Sequence, residues 1–170
     1  IVDPVDGTWN FARGLAVFAV ILAVCEDGKT TWGLIYDPLS DTWVEAEAGK
    51  GAWHEDATGA RRPLSLDAGP ETLGDLNGFA HLYLFQGAER DRLFSAMTAF
   101  GRALNLRCSA WEYRMMAEGH ADFCLAAVLN AWDHAAGAFI LTELGGVARC
   151  LDGEDYVPAR ATGRLLVARS

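Results

Sequence analysis

Residues 16–47, AVFAVILAVCEDGKTTWGLIYDPLSDTWVEAE, alternate apolar runs with short polar turns. Residues 16–25 are apolar and β-branched, and residues 30–36 are again strand-prone, so the turn between them predicts a β-hairpin. A second turn at residues 37–40 leads into a further strand over residues 42–47. This stretch therefore predicts an antiparallel sheet near the beginning of the chain.

Helices and strands alternate in the remainder of the chain. We expect a glycine-rich loop at residues 49–59, strands at 61–66, 79–85, 121–126, 147–151 and 164–168, and helices at 88–103, 109–119 and 133–144. Ser109 and Glu112 fit a capping box, in which hydroxyl and carboxylate satisfy the first amides of a helix. Antiparallel hairpins followed by alternating elements predict an α/β protein, an α+β sandwich with layered sheets.

The composition favours one globular domain over residues 1–170, since 51% of the chain is hydrophobic and no repeat or linker is evident. The longest apolar run, residues 15–25, is shorter than the roughly 20 residues of a membrane helix. No basic segment precedes this run, as it would in a signal peptide. We therefore expect no membrane partner.

The net negative charge of the chain indicates which classes of molecule it binds. The net charge is −9, whereas proteins that bind a nucleic-acid polymer usually present a basic face, so we expect no such partner. An acidic enzyme that acts on an anionic substrate needs a local positive charge. A bound cation is the simplest source of that charge.

The four cysteines form no C-x-x-C pair and lie among apolar neighbours. This pattern predicts reduced thiols in the core of a cytoplasmic protein rather than a disulfide framework. His120 and Cys124 are four residues apart and could share a helix face, which would be half of a zinc site. No second half is evident in the sequence.

Two carboxylates stand three residues apart in residues 3–8, DPVDGT. In a straight strand, Asp3 and Asp6 would lie about 10 Å apart on opposite faces. The proline between them fixes one φ angle and Gly7 permits a sharp change of direction, so we expect a turn on which both carboxylates converge. Residues 1–14 are polar and turn-rich throughout. Two nearby carboxylates resist joint ionisation unless a cation lies between them.

The ligands that this turn offers are hard oxygens. Carboxylates, with the Val5 carbonyl as a natural further ligand, select magnesium, manganese or calcium over zinc or copper. Behind the turn, the amides of Gly7 and Thr8 are free to face an anion, much as at a helix N-terminus. The alternative interpretation is an Asp-rich turn held by its own hydrogen bonds, and the motif alone leaves both open.

A third carboxylate follows in residues 132–137, WDHAAG, where Asp133 stands near a helix start. Its simplest interpretation is a helix N-cap. The alanines and the glycine that follow are unusually small for a helix beginning and would let the first turn approach another backbone closely. A third carboxylate brought to Asp3 and Asp6 would complete a site for two cations.

These two segments, in this order and with this separation, resemble the two signature motifs of the inositol monophosphatase family. The family includes bacterial inositol, histidinol-phosphate and adenosine-bisphosphate phosphatases. GLIYDP at residues 33–38, GKGA at residues 49–52, Ser109-Ala110 at a helix start and the glycine pair at residues 145–146 also fit, so the resemblance covers essentially the whole chain. It implies the layered αβαβα fold of the family, without its opening helices.

The resemblance implies a magnesium cofactor of two or three ions. Asp3 would bridge two metals, Val5 would bind the first through its carbonyl, and Asp6 and Asp133 would hold the second. The implied reaction is direct attack of a metal-activated water on a phosphate monoester, in line with the departing alkoxide and without a covalent phosphoenzyme.

The resemblance also implies contacts with the substrate. Gly7 and Thr8 would receive the phosphate through their amides and the Thr8 hydroxyl, and Thr8 and Asp3 would be catalytic. The remainder of the substrate would contact Asp6, Ser109, Ala110 and Asp133. A homodimer is implied as well.

Two departures from the family pattern matter. The family carries a metal-binding glutamate and a catalytic aspartate upstream of the Asp-Pro motif, which would lie before Ile1, so we expect an N-terminally truncated domain. Many members carry a glutamate that contacts a substrate hydroxyl where Ala126 stands here. Loss of a charged hydrogen bond is worth about 1.5–3 kcal/mol, so a polyol ring would be held less firmly. Asn130 or His134 would then contact the substrate instead, although His134 is more simply interpreted as an exposed residue in the first turn of its helix.

Three functions remain open at this point. The first is a magnesium-dependent phosphatase for a small sugar, polyol or amino-alcohol phosphate, such as inositol 1-phosphate or histidinol phosphate. The second is the same chemistry on a nucleotide, 3′-phosphoadenosine 5′-phosphate, with Trp9, Trp53 or Trp111 stacked on the base. The third is a non-catalytic fragment that serves as an interaction domain.

Overall fold

A six-stranded antiparallel sheet, sheet A, occupies the first part of the chain. The computed structural model describes residues 1–169, and Ser170, the last residue of the predicted domain, lies outside the described residues. The strands of sheet A are β1 (Val2–Asp6), β2 (Ala19–Glu26), β3 (Lys29–Asp37), β4 (Thr42–Glu47), β5 (Gly51–Glu55) and β6 (Arg61–Pro63). They lie side by side in chain order, so sheet A is a meander with β1 and β6 at its edges.

The hairpin predicted from residues 16–47 is confirmed. Strands β2 and β3 pair up to Glu26 opposite Lys29. Between them, Asp27 and Gly28 have positive φ angles of 49° and 79°. Two consecutive positive φ angles produce the turn whose twist matches that of the flanking strands, and Asp and Gly tolerate this conformation best.

A five-stranded sheet, sheet B, forms from the second part of the chain. Its strands are β7 (Asn77–Ala80), β8 (Arg102–Leu104), β9 (Phe123–Ala126), β10 (Val147–Cys150) and β11 (Leu165–Ala168). The spatial order is β10-β11-β9-β7-β8, in which β7 runs parallel to β8 and β9, and β11 runs antiparallel to β9 and β10. The strands predicted near the C-terminal end of the chain are therefore present.

Two of the four α-helices within residues 1–169 lie between the sheets. The helices are α1 (Thr8–Phe11), α2 (Gly87–Met97), α3 (Ser109–Ala117) and α4 (Ala131–Glu143). Helix α4 packs on β2 and β3 of sheet A and on β10 and β11 of sheet B, and α3 packs on α4, β2 and β9. The prediction of an α/β protein with layered sheets is confirmed. Over residues 1–169, no helix is long and apolar enough to cross a membrane.

Small residues allow α4 to lie close to its neighbours, as the sequence predicted. A Cβ atom on Gly33 of β3 would lie 3.0 Å from the Cα atom of Ala136. A Cβ atom on Gly137 would lie 2.1 Å from the ring of Tyr113 in α3. Helix α4 is therefore fixed against both a strand and a helix, and Asp133 in its first turn has a fixed position.

The glycine-rich loop predicted at residues 49–59 was wrong in part, because it contains β5. Gly49 and Gly51 have positive φ angles of 72° and 83° and turn the chain back after β4. From Gly51 onward the backbone pairs with β4, and Ala52 is buried in the core. Glycines here make a tight turn rather than a long loop.

Two boundaries in the second half were also wrong. The strand predicted over 79–85 ends at Ala80, and a short 3-10 helix, Leu82–Leu84, follows it. The helix predicted over 88–103 ends at Met97, and the chain enters β8 at Arg102. Between the helix and β8, Gly101 passes close to another loop, since a Cβ atom there would lie 2.6 Å from the Gly74 carbonyl oxygen, too close for a side chain.

Candidate metal centre and substrate cleft

A bulge in β1 brings Asp3 and Asp6 to the same side of the strand. Asp3 pairs with Ile21 and Asp6 with Ala19, so β1 uses one residue more than β2 between the two pairs. An extra residue reverses the alternation of side chains, which in a regular strand would place the two carboxylates on opposite faces. The convergence predicted for residues 3–8 is therefore present, but it arises from a bulged strand rather than from a turn.

Gly7 then turns the chain sharply into α1. Its φ angle is 80°, and a Cβ atom there would lie 2.7 Å from the Val17 carbonyl oxygen. The Gly7 amide donates a hydrogen bond to Asp6 Oδ1 at 2.8 Å, and the Thr8 hydroxyl donates to the Val5 carbonyl at 3.0 Å. The expectation that the Gly7 amide is free was therefore wrong, because this amide donates a hydrogen bond to the Asp6 carboxylate.

Asp133 lies in the first turn of α4, three residues after the N-cap, Asn130. The N-cap interpretation of Asp133 was therefore wrong. The Asn130 side-chain amide donates to Asp133 Oδ2 at 2.9 Å. This hydrogen bond orients the carboxylate, and Asn130 is thereby engaged with Asp133 rather than with a ligand.

Asp3, Asp6 and Asp133 each place one oxygen within 4.8 Å of the other two. Burial raises the pKa of Asp6 to about 6, against hydrogen bonds from Ala110 and Cys108, and the charges of Asp133 and Asp3 raise it further. Burial also raises the pKa of Asp133, and the charge of Asp3 adds to this effect. A cation among the three oxygens would relieve this repulsion, and hard cations suit such donors.

The N-terminal end of α3 completes the surroundings of Asp6. The Ala110 amide donates to Asp6 Oδ2 at 2.6 Å, and the Cys108 thiol donates to the same oxygen at 3.3 Å. Burial and the charge of Asp6 raise the pKa of the Cys108 thiol, so this group stays protonated and remains a donor. Ser109 is nearly buried beside them. Residues 109 and 110 thus lie at the site, with the Ala110 amide used to hold Asp6.

A cleft of about 360 Å³ opens beside these carboxylates. Asp6, Asp133 and Ser109 border it, as does Trp9, which the sequence offered as a stacking residue for a nucleotide base. The remaining lining residues were not singled out from the sequence, namely His81, Tyr83, Leu84, Asn105, Arg107 and Cys108. The volume suits a small phosphorylated molecule. One larger cavity, of about 570 Å³, lies away from the three aspartates, so chemistry rather than size identifies this cleft.

A buried network around Glu112 supports one wall of the cleft. Glu112 accepts hydrogen bonds from the Leu106 amide at 2.8 Å and from the Cys124 thiol at 3.7 Å, and its carboxylate lies 2.6 Å from His81 Nε2. Burial opposes protonation of His81, but Glu112 outweighs it and the pKa of His81 is raised. The capping box predicted for Ser109 and Glu112 was therefore wrong, because a buried histidine and a loop amide offer the carboxylate better partners.

The zinc half-site considered for His120 and Cys124 is absent, since Cys124 lies in strand β9 and His120 precedes it in a loop. All four cysteines are free thiols, as predicted, and three of them are buried. His81, Glu112 and Cys124 do place ligand atoms within 4.8 Å of one another. Their mutual hydrogen bonds account for that proximity.

His134 neither borders the cleft nor lies exposed in the first turn of α4, so both interpretations of it were wrong. It is 1% exposed, its Nε2 donates to the Val128 carbonyl at 2.8 Å, and its Nδ1 lies 2.8 Å from the Tyr113 hydroxyl. Burial lowers the pKa of His134 to about 4, which keeps the ring neutral. Ala126 is fully buried in β9 and contributes only a methyl group.

The layered fold and the three convergent carboxylates define a class of protein that can hold a divalent cation between a strand and a helix. Comparison with known proteins identifies the family within that class. The model of the inositol monophosphatase family matches residues 1–169, and the chain belongs to this family. The resemblance inferred from the two motifs is confirmed.

Relatives of known name are similar to this chain over most of its length. It is 32% identical over 162 residues to the histidinol-phosphatase of Streptomyces coelicolor, which covers 90% of this chain and 59% of the relative. It is 31% identical over 156 residues to the inositol-1-monophosphatase of Mesorhizobium japonicum, with 90% and 57% covered. The chain thus spans just under three fifths of the length of these relatives.

Solved structures show the same fold. The crystal structure of 2′AMP-bound SaIMPase-II from Staphylococcus aureus superposes with a TM-score of 0.85 and 27% sequence identity. The superposition covers 99% of this chain and 62% of the other. The likeness extends over both sheets and the helices between them.

Proposed function

We propose that this protein is a magnesium-dependent phosphomonoesterase for a small sugar, polyol or amino-alcohol phosphate, of the inositol 1-phosphate or histidinol-phosphate type. The observation that carries the proposal is the cluster of Asp3, Asp6 and Asp133 beside a cleft of suitable volume. Family membership supports the reaction class. The names of the Streptomyces and Mesorhizobium relatives support the substrate class.

The donor set fits magnesium. Asp3 would bridge two ions, Val5 would contribute its carbonyl to the first, and Asp6 and Asp133 would hold the second. The Val5 carbonyl accepts one hydrogen bond from Thr8 and keeps a second lone pair for a ligand. When bound, two or three magnesium ions would lower the pKa of a water molecule and neutralise the charge of the phosphoryl oxygens.

The residues of β1 and α1 would position the reacting groups. The Thr8 hydroxyl donates a hydrogen bond to the Val5 carbonyl. Its oxygen is thereby oriented to accept a hydrogen bond from an attacking water. Asp3 Oδ1 accepts a hydrogen bond from the Val5 amide at 3.1 Å. The other carboxylate oxygen, Oδ2, is left for the same water or for a cation. The phosphate would lie against the Thr8 amide, and against the Gly7 amide only once that amide is released from Asp6 Oδ1.

The substrate alcohol would lie towards α3 and α4. Asp6 and Asp133 border the cleft and can accept hydrogen bonds from substrate hydroxyl groups, and the Ser109 hydroxyl stands beside them. Ala110 contributes through its amide, which orients Asp6. These roles rest on proximity to the cluster and on the match of each residue to the family motifs.

A nucleotide such as 3′-phosphoadenosine 5′-phosphate is the second candidate substrate. The 2′AMP bound to SaIMPase-II favours it, as does Trp9 at the edge of the cleft. However, two guanidinium groups already pack on the Trp9 indole, so a base would have to displace one of them. A smaller, non-aromatic alcohol requires no such displacement.

Phosphate release by the full-length protein tests the proposal. We expect release from inositol 1-phosphate or histidinol phosphate that requires magnesium and ceases with a chelator. Faster release from 3′-phosphoadenosine 5′-phosphate would select the second candidate. No metal-dependent release from any of the three would leave an interaction domain as the remaining function.

The oligomeric state, the class of partner, the location and the domain extent of this protein remain predictions. The resemblance predicts a homodimer, which sedimentation analysis can test. The net charge of −9 argues against a nucleic-acid polymer as partner, and the free cysteines fit a cytoplasmic protein. We also propose that residues 1–169 form one inositol-monophosphatase-like domain.

A further inference from the structure

His81 borders the cleft, and the function proposed above gives it no role. It follows strand β7, and its backbone amide donates to the Leu125 carbonyl of β9 at 2.9 Å, which fixes the position of the residue. Its side chain is 12% exposed. The chain has four histidines, and only His81 is among the residues that line the cleft with Asp6 and Asp133.

Glu112 holds one nitrogen of the His81 ring. Its carboxylate lies 2.6 Å from His81 Nε2, and Glu112 is fully buried in α3. The Leu106 amide and the Cys124 thiol donate to the same carboxylate at 2.8 Å and 3.7 Å. A buried network of this kind fixes the orientation of the ring. Glu112 is not among the residues proposed for magnesium, so this contact remains when the cation cluster is filled.

The other ring nitrogen of His81, Nδ1, is left for a molecule in the cleft. Within residues 1–169 the side chain makes its hydrogen bond through Nε2. The polar side-chain atoms that are enclosed without a partner in this part of the chain are the Tyr156 hydroxyl and Arg169 Nε. Nδ1 is therefore accessible, and the cleft is the cavity that His81 lines.

The groups that surround His81 favour its protonated form. Burial opposes protonation, but the hydrogen bond and the charge of Glu112 outweigh it, and the charges of Asp133 and Asp6 act in the same direction, so the pKa of His81 is raised. The Cys124 thiol stays neutral, because burial raises its pKa well above the usual value. A protonated imidazole carries a hydrogen on both nitrogens, so Nδ1 is then a donor.

We propose that His81 is a catalytic residue that donates the Nδ1 proton to the alcohol oxygen as this oxygen leaves phosphorus, and that Glu112 is its positioning residue. The attacking water forms the new bond to phosphorus, the ester P–O bond breaks, and the electron pair of that bond passes to the alcohol oxygen. This oxygen takes the Nδ1 proton. The ring regains a proton from the solvent, which has received one from the attacking water. The inference rests on the proposed function, because it names the proton donor of that reaction.

The basicity of the leaving oxygen decides how much this proton matters. The alkoxide of a sugar or polyol is strongly basic, so its departure is faster when an acid protonates it. A positioned acid typically contributes about 100-fold to 10,000-fold to such a step. The 4-nitrophenolate ion is a weak base and leaves without a proton. Two esters that differ in this way therefore report on the acid.

A comparison of inositol 1-phosphate with 4-nitrophenyl phosphate tests the role of His81. Both esters are given to the full-length protein and to its His81→Gln variant, with magnesium. The glutamine amide can keep the contact with Glu112 but places no donor where Nδ1 stands. We expect kcat/KM for inositol 1-phosphate to fall by about 100-fold or more, whereas kcat/KM for 4-nitrophenyl phosphate stays close to that of the unmodified protein.

His120→Gln is the matched control. His120 is exposed, precedes β9 in a loop, and does not line the cleft. The same substitution there should leave both rates unchanged. Equal losses for the two esters in His81→Gln, or no loss for either, would overturn the role of His81.

The unmodified protein decides the question if His81→Gln does not fold. Above about pH 7.5 both esters have lost their second proton, and ionisation of the aspartate cluster affects both alike. The kcat/KM of inositol 1-phosphate relative to that of 4-nitrophenyl phosphate should fall as the pH rises, because His81 loses its proton above its raised pKa. A ratio that stays constant over the alkaline range would overturn the role of His81.

Failure of the proposed function gives a different result. If the unmodified protein releases phosphate from neither ester with magnesium, the proposed function is wrong, and the role of His81 is overturned with it. Release from both esters, with equal losses in His81→Gln, would overturn the role of His81 alone.

Discussion

In the proposed reaction, Thr8 would orient the attacking water. Its hydroxyl donates to the Val5 carbonyl at 3.0 Å, which fixes the direction of its lone pairs. We expect Thr8→Ala to lower kcat for phosphate release by roughly 100-fold, the effect typical of a group that assists proton transfer. Thr8→Ser keeps the hydroxyl and should restore most of the rate. Equal losses in the two variants would contradict this role, with magnesium affinity measured by calorimetry as the check on the site.

His134 predicts a specific dependence of stability on pH. Burial lowers its pKa from 6.5 to about 4, so its contribution is complete above pH 6.5 and is lost as the pH falls towards 4. Between pH 7 and pH 5 this amounts to roughly 2 kcal/mol of the free energy of unfolding. Nitrogen shifts of the imidazole, measured by NMR over the same range, should show a neutral ring with Nε2 protonated. A midpoint near 6.5 would refute the prediction.

Single residues differed in how well the sequence predicted them. Asp3, Asp6 and Asp133 could be singled out because motifs of short spacing carry them. The partners of Glu112 could not, since His81 is 31 residues away along the chain and meets the carboxylate only after folding. A Ser-x-x-Glu pattern is the same whether the glutamate caps its helix or turns to a buried histidine.

At the scale of elements, the position of Asp133 depends on how closely α4 packs on α3. We expect Gly137→Ala to destabilise the fold by about 1–3 kcal/mol or more, because its Cβ atom would overlap the Tyr113 ring. Gly74→Ala is the control, since the nearest atom to a Cβ there is 4.0 Å away. Urea unfolding should show a change within roughly 0.5 kcal/mol for the control. Equal stability of both variants would show that α4 can shift without cost.

Elements with strong local signals were predicted, and those set by tertiary contacts were not. The β2–β3 hairpin follows from its own turn residues, and the end of α4 follows from the glycines after it, whereas its start lies two residues before the predicted one. Strands β5 and β8 are short and pair with partners that local sequence does not reveal. The bulge in β1 is of the same kind, because the pairing with β2 defines it.

At the scale of the molecule, the candidate metal centre joins parts that meet only in the folded chain. Sheet A supplies Asp3 and Asp6, and the helices between the sheets supply Asp133 and the Ala110 amide. A ligand that binds only the folded state stabilises it, by about 2.7 kcal/mol at a concentration 100 times its dissociation constant. Magnesium should therefore raise the melting temperature of the full-length protein at pH 7. No shift at saturating magnesium would contradict a preformed site.

The most direct test of the account compares Asp133→Asn with Asp91→Asn in the full-length protein. Asp91 is an exposed residue of α2, so its substitution removes the same charge away from the cleft. We predict that Asp133→Asn weakens magnesium binding by about tenfold or more, since each tenfold step corresponds to about 1.4 kcal/mol, and abolishes most phosphate release, while Asp91→Asn leaves both unchanged. Unaltered magnesium affinity and phosphate release in Asp133→Asn would contradict the central claim.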